Sequence, residues 1–286
     1  ILEQAAYFEE QCRQTPGLNV LHGRILATLF YEPSTRTRLS FESAMLRLGG
    51  DVISVAEAMK SSSASKGESL SDAARVVSGY AHVIVQRHPA VGSAQEAAAG
   101  ATVPVINAGD GVGEHPTQAL LDLYTIQRER GQLDGLRICL AGDLKHGRTV
   151  HSLARALTYW NVTLTLAAPQ ALAMPAEIIA ELRGHGLAVA QTEDLAAAMA
   201  ASDVLYVTRI QRERFADPAE YERLKGSYVV DRALIERTNP NITVMHPLPR
   251  VDEIATDVDA LPNAAYFRQA DNGVWVRMGL LSLVVG

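Results

Sequence analysis

"FYEPSTRTRLSFESAM", residues 30–45, marks the place where a strand gives way to a helix. Before it, residues 24–31 ("RILATLFY") are apolar and β-prone, and Pro33 stops the run. After it, Phe41, Met45 and Leu48 recur at helical spacing until Gly49 and Gly50 end the element. Ser34, Thr35, Arg36, Thr37 and Arg38 therefore open a helix. Serine and threonine are ordinary caps there, but cations are not. The first turn carries the positive pole of the helix dipole, and a charge of the wrong sign costs roughly 0.3–1 kcal/mol. Two arginines at that end need something to offset them.

The same alternation continues in both directions. The first half offers further β-prone runs at 81–86 ("AHVIVQ") and 103–107 ("VPVIN"), with helical stretches between them. The second half offers 136–142, 162–168, 203–208, 227–231 and 241–247. Strands that alternate with helices predict an α/β chain of two doubly wound parallel-sheet domains joined by helices. Residues 115–131 ("HPTQALLDLYTIQRERG") read as the bridge, so the expected domains are 1–131 and 132–270. The tail after residue 270 reads as a final helix packing back on the first domain, and 61–65 ("SSSAS") as a polar loop.

Ligands of open α/β sheets collect beyond the carboxyl ends of the strands. The polar residues expected there form a consistent set: 34–38, Arg87 with His88, 109–118, Arg148, Arg209 with Gln211, and 246–250. Each alone has a bland explanation, such as a surface arginine or the start of a helix. Five arginine-bearing strand ends together imply ligands with several negative charges.

Composition removes other classes. The 286 residues are 48% apolar with a net charge of −6 and no basic stripe interleaved with aromatics, which argues against nucleic acid as the main partner. No run approaches the length of a membrane span. Cys12 and Cys139 stand far apart, so neither a disulfide framework nor a zinc site is expected, and the expected compartment is reducing, the cytoplasm. The sequence opens at Ile1 rather than Met, so sequence upstream is expected, with room for a targeting signal and hence an organelle. Residues 142–149 ("GDLKHGRT") have P-loop spacing, but Arg148 stands where that loop needs lysine, and no later aspartate suits magnesium. "GDGVGE" fails the dinucleotide fingerprint.

"FYEPSTRTRLSFESAM", "VQRHP", "GDGVGEHPTQALLDLYTI", "GDLKHGRTVHSL", "TRIQRERF" and "MHPLPRVDEI" together resemble the aspartate carbamoyltransferases, in order along essentially the whole chain. S-T-R-T-R belongs to the wider carbamoyltransferase family and implies carbamoyl phosphate as the first substrate. The later motifs choose the second. Ornithine enzymes typically carry HPCQ, a DxWxSMG-like loop and HCLP, whereas this chain reads HPTQ, R-I-Q and HPLP. Arginine at that loop suits a dicarboxylic amino acid, so the resemblance implies L-aspartate, with ornithine or another amino acid as the alternative. A nucleotide switch and a non-catalytic scaffold are the readings from other classes, and no carried-over position is lost as a scaffold would allow.

The resemblance also implies roles. Ser34, Thr35, Arg36 and Thr37 would hold the phosphate, while Arg38 supports the structure through an ion pair. Thr37, Arg87 and His115 would donate to the carbamoyl oxygen. Gln118, with backbone carbonyls near Pro247 and Leu248, would hold the carbamoyl amide. Arg148, Arg209 and Gln211, with Leu248, would bind aspartate. Ser62 and Lys66 would be supplied by the neighbouring subunit of a homotrimer, Lys66 reaching both substrates. No cofactor or metal is implied, and regulatory chains or fusion to other pathway enzymes stay open.

Overall fold

The computed structural model describes residues 1–15, 17–60, 62–210 and 217–286. The chain divides into two compact units, Ile1–Tyr124 with Asp271–Gly286, and Thr125–Ala270. It passes between them within two helices, Pro116–Arg130 and Tyr266–Val285.

The first unit holds a parallel sheet of β1 (Ile25–Phe30), β2 (Asp51–Val55), β3 (Val83–His88) and β4 (Val105–Asp110), in the order β2-β1-β3-β4. β1 is buried on both faces, as central parallel strands are. Leu26 and Phe30 pack with Phe41 and Met45 of the helix Thr35–Arg47 and with Leu48, which caps it, together with Met278, Leu281 and Val285 of the helix Tyr266–Val285. Ala27, Leu29 and Tyr31 face the other way, against Ala58, Ala74 and Ala97. Crossover helices thus cover both sides of the sheet.

The second unit repeats the plan with β5 (Arg137–Gly142), β6 (Thr163–Ala167), β7 (Ala188–Thr192), β8 (Val204–Thr208) and β9 (Thr243–Met245), in the order β7-β6-β5-β8-β9, every pair parallel. Its core joins Cys139, Leu205, Val207, Val244, Ile235 and Tyr266.

Three strand expectations and one loop expectation need correction. Residues 227–231 form no strand, because only Val230 bridges to Ile254 there. β2 and β7 were not expected at all. Both are sheet edges with mostly exposed side chains, so neither carries the apolar run that marks a buried strand. β3 and β4 run past their expected ends, which brings Arg87 and Asp110 into the sheet itself. The polar loop at 61–65 is, over Ser62–Ser65, one turn of helix.

Candidate active site

In the first unit, β1 leads outward to β2 while β3 leads the other way to β4. The crevice beyond β1 and β3 is therefore the point where the winding reverses, where such sheets bind ligands. The helix Thr35–Arg47 begins there. Its cap, Ser34, is extended (φ −159°, ψ 98°), its side chain makes no capping hydrogen bond, and the first turn contains no acid. The hydroxyl and the positive helix pole both remain to be used. Thr35 and Arg36 are exposed, and Thr37 is buried. Protein atoms nevertheless crowd Arg36 enough for partial burial to push its pKa down. Arg38 turns elsewhere: its Nη1 donates to Glu42 Oε1 and to Ser54 Oγ, both at 3.2 Å. Glu42 Oε1 also accepts from Thr28 Oγ1 at 3.0 Å and from Ser54 Oγ at 2.7 Å. One arginine of the pair is thus tied to a carboxylate, while the other stands at the crevice.

Arg87 lies in β3 beside the end of β1, in register with Phe30, and is only 8% exposed. A buried guanidinium needs partners. Its Nη2 donates to Glu32 Oε1 at 3.1 Å, and its Nη1 reaches Ala108 O at 3.4 Å and His115 Nε2 at 3.3 Å. Arginine can only donate, so His115 Nε2 accepts, and the imidazole is neutral with its proton on Nδ1. Glu32 is the residue that sequence reasoning missed. It was legible only as an acid two positions beyond a strand; the pairing of β1 with β3 makes it a partner of Arg87.

His115 sits at the start of the helix Pro116–Arg130, and Gln118 follows one turn later, its Nε2 donating to buried Asp122 Oδ1 at 2.8 Å. Behind them Arg277, from the C-terminal helix, donates to Gly273 O at 3.0 Å and Thr117 Oγ1 at 3.4 Å. Burial pushes its pKa down to about 10, with nearby Asp122 opposing. Ser62 lies in the helical turn Ser62–Ser65, with its side chain outside the described residues. Lys66 is exposed on the following turn and makes no ion pair among the described residues.

In the second unit, β5 and β8 are neighbours and the winding reverses between them. Gly142 ends β5 at φ +108°, and a Cβ there would meet Thr208 O at 2.1 Å. Only glycine allows the two strand ends this close. Arg148 then opens the helix Arg148–Leu157, and Arg209 follows β8 directly, both half-buried. Gln211 lies outside the described residues. The P-loop reading fails in the turn itself: buried Asp143 accepts from His146 N at 3.0 Å, putting a carboxylate where that loop would cradle phosphate. Pro247 and Leu248, half-buried, follow β9, and Leu248 takes φ +54°. Arg250, counted with the strand-end set, serves the framework instead, its Nη2 donating to Asp259 Oδ2 at 2.6 Å and its Nη1 to the Tyr266 hydroxyl at 3.1 Å. A pocket of about 180 Å³ over β5, β6 and β7, lined by Leu144, Leu166, Met174 and Glu193 among others, contains no arginine or lysine.

Known proteins resemble this chain along its whole length. Residues 1–128 match the aspartate/ornithine carbamoyltransferase carbamoyl-P binding domain, and residues 134–284 match the Asp/Orn binding domain of the same family. The aspartate carbamoyltransferase catalytic subunit of Thermococcus gammatolerans is 57% identical over the whole chain and 92% of its own length. The catalytic subunit of M. jannaschii aspartate transcarbamoylase superposes with a TM-score of 0.93 at 53% identity, covering 99% of this chain and 92% of that one. The Trypanosoma cruzi aspartate transcarbamoylase solved with N-(phosphonacetyl)-L-aspartic acid gives a TM-score of 0.93 at 43% identity, covering 100% and 91%. With both domain models matched in order and relatives this similar along its full length, the chain belongs to the aspartate/ornithine carbamoyltransferase family.

Proposed function

We propose that the chain transfers the carbamoyl group of carbamoyl phosphate to the α-amine of L-aspartate, giving N-carbamoyl-L-aspartate and phosphate, an early step of de novo pyrimidine biosynthesis. The observation that carries this reading is the first unit's crevice. A helix N-terminus with an unused serine hydroxyl and no acid in its first turn faces the strand end where Arg87 meets His115. The phosphate sits on Ser34, Thr35, Arg36 and Thr37, where hydroxyls, backbone N–H groups and a guanidinium match a dianion. Thr37, Arg87 and the Nδ1–H of His115 stabilise the charge that develops on the carbamoyl oxygen as its carbon becomes tetrahedral. Gln118 and the carbonyls of Pro247 and Leu248 hold the carbamoyl amide. Arg148, Arg209 and Gln211 take the two carboxylates of aspartate, whose neutral amine attacks, with the departing phosphate accepting the proton. The protein's share is orientation and charge stabilisation.

Aspartate is favoured over ornithine by arginine at 209 and by relatives that carry the aspartate name at 53–57% identity. Product formation measured with each amino acid in turn tests the reading. Carbamoyl aspartate should appear and citrulline should not; comparable turnover of ornithine would overturn the assignment. Exposed Lys66, which makes no ion pair among the described residues, supports completion of the site by a neighbouring copy in a homotrimer. The two widely separated cysteines, Cys139 buried, support a reducing compartment such as the cytoplasm.

A further inference from the structure

His246 opens the H-P-L-P stretch at a strand end, and no role above uses its side chain. It is 1% exposed, just past the end of β9, and three of its hydrogen bonds fix its backbone and ring. Its backbone N–H donates to Gln269 Oε1 at 2.9 Å. The backbone N–H of Leu248 donates to its Nδ1 at 2.8 Å, and its Nε2 lies 2.7 Å from Glu253 Oε1. A backbone N–H can only donate, so Nδ1 carries no proton, Nε2 does, and the ring donates to the carboxylate. The other carboxylate oxygen, Glu253 Oε2, accepts from Val251 N at 3.2 Å and Asp252 N at 3.1 Å. One buried glutamate thus holds the far side of the loop directly and the near side through the imidazole.

The loop needs holding. Leu248 is the one non-glycine with positive φ among the described residues. A side-chain-bearing residue in that region is strained and persists only where its surroundings over-determine it. A buried ion-pair-like contact is weak evidence for stability, since apolar replacement is often neutral, and better evidence for one specified arrangement. Here that arrangement is the direction of two backbone carbonyls. We infer that His246 and Glu253 are positioning residues for the transfer, locking Leu248 so that the carbonyls of Pro247 and Leu248 face the carbamoyl amide. The inference rests on the function proposed above and adds two residues to it.

Three variants test it. His246→Gln keeps a donor toward Glu253 but offers Leu248 N–H no acceptor, His246→Asn keeps an acceptor there, and Glu253→Gln replaces the carboxylate at nearly equal volume. On folded protein, checked by circular dichroism and melting, His246→Gln should lower kcat/KM for carbamoyl phosphate by about 100-fold, the scale of a 1 Å misplacement. Inorganic phosphate, which needs only the Ser34–Thr37 turn, should bind within about twofold of wild type by calorimetry. His246→Asn should recover about tenfold of the loss, and Glu253→Gln should show the same split. Wild-type turnover in folded His246→Gln or Glu253→Gln overturns the inference. So does a loss shared equally by phosphate affinity, or one that Asn does not relieve, since either would mark a merely structural role. Should His246→Gln not fold, Glu253→Gln decides by the same readings. A wild-type chain that fails to carbamoylate aspartate would instead sink the proposed function.

Discussion

At the scale of single residues, charge explains most of the candidate site. Arg209 stands half-buried at the end of β8, the place that the proposed function gives to a carboxylate of aspartate. Arg209→Ala should mainly raise the aspartate KM, by roughly 2–5 kcal/mol if a carboxylate is left unpaired in a desolvated site. An unchanged aspartate KM in steady-state assays would assign that carboxylate to another group. Arg36, Thr37, Arg87, His115 and Gln118 were legible because each lies beside a strand end or helix start that local pattern reveals. Glu32 and Glu253 were not. Their meaning comes from partners 55 and 7 residues away, Arg87 and His246, and distance along the chain hides the first while an intervening loop hides the second.

Elements follow a parallel logic: what local sequence encodes was readable, and what pairing encodes was not. β1, β5 and β8 carry continuous apolar runs because both faces are covered. The edges β2 and β7 exist because β1 and β6 offer them hydrogen bonds, and their own runs, broken by Ser54 in β2 and ending in Gln191 and Thr192 in β7, are too short to announce it. Two predictions belong here. Gly142→Ala would force a Cβ onto Thr208 O and a side chain onto φ +108°, so the second unit should lose about 3 kcal/mol or more, read as a lower urea midpoint. Asp203 pins the start of β5 to the start of β8 by accepting from Arg137 N at 2.9 Å and Arg137 Nη2 at 2.8 Å. The hydrogen bond from Arg137 holds its carboxyl below the ordinary carboxylate value, outweighing burial, which acts the other way. A depressed folded pKa contributes stability that is complete above the unfolded value of about 4 and is lost as pH falls through the folded one. The melting-temperature gap between wild type and Asp203→Asn should therefore be open at neutral pH and shrink as the pH drops below about 4. A gap that stays constant into acid would remove the ion pair from the account.

For the whole molecule, assembly is the testable quantity. If each site joins Arg36 of one chain to Lys66 of the next, Lys66→Ala and Arg36→Ala should each be nearly inactive, yet recover activity when unfolded, mixed and reassembled. Random equimolar mixing makes about three-quarters of trimers mixed, each with one intact site in three, so roughly a quarter of wild-type activity should return. Reassembled but inactive mixtures would mean that Lys66 serves its own chain. The discontinuous first unit has a consequence of another kind. β1 packs against Met278, Leu281 and Val285, within the stretch Asp271–Gly286 that completes that unit, whereas the second unit needs nothing beyond Ala270. On the ribosome the order of birth and the order of completion are therefore reversed. The inserted unit can fold while β1 still waits for its partners, and a nascent chain should gain its grip on phosphate only once residues 271–286 have emerged.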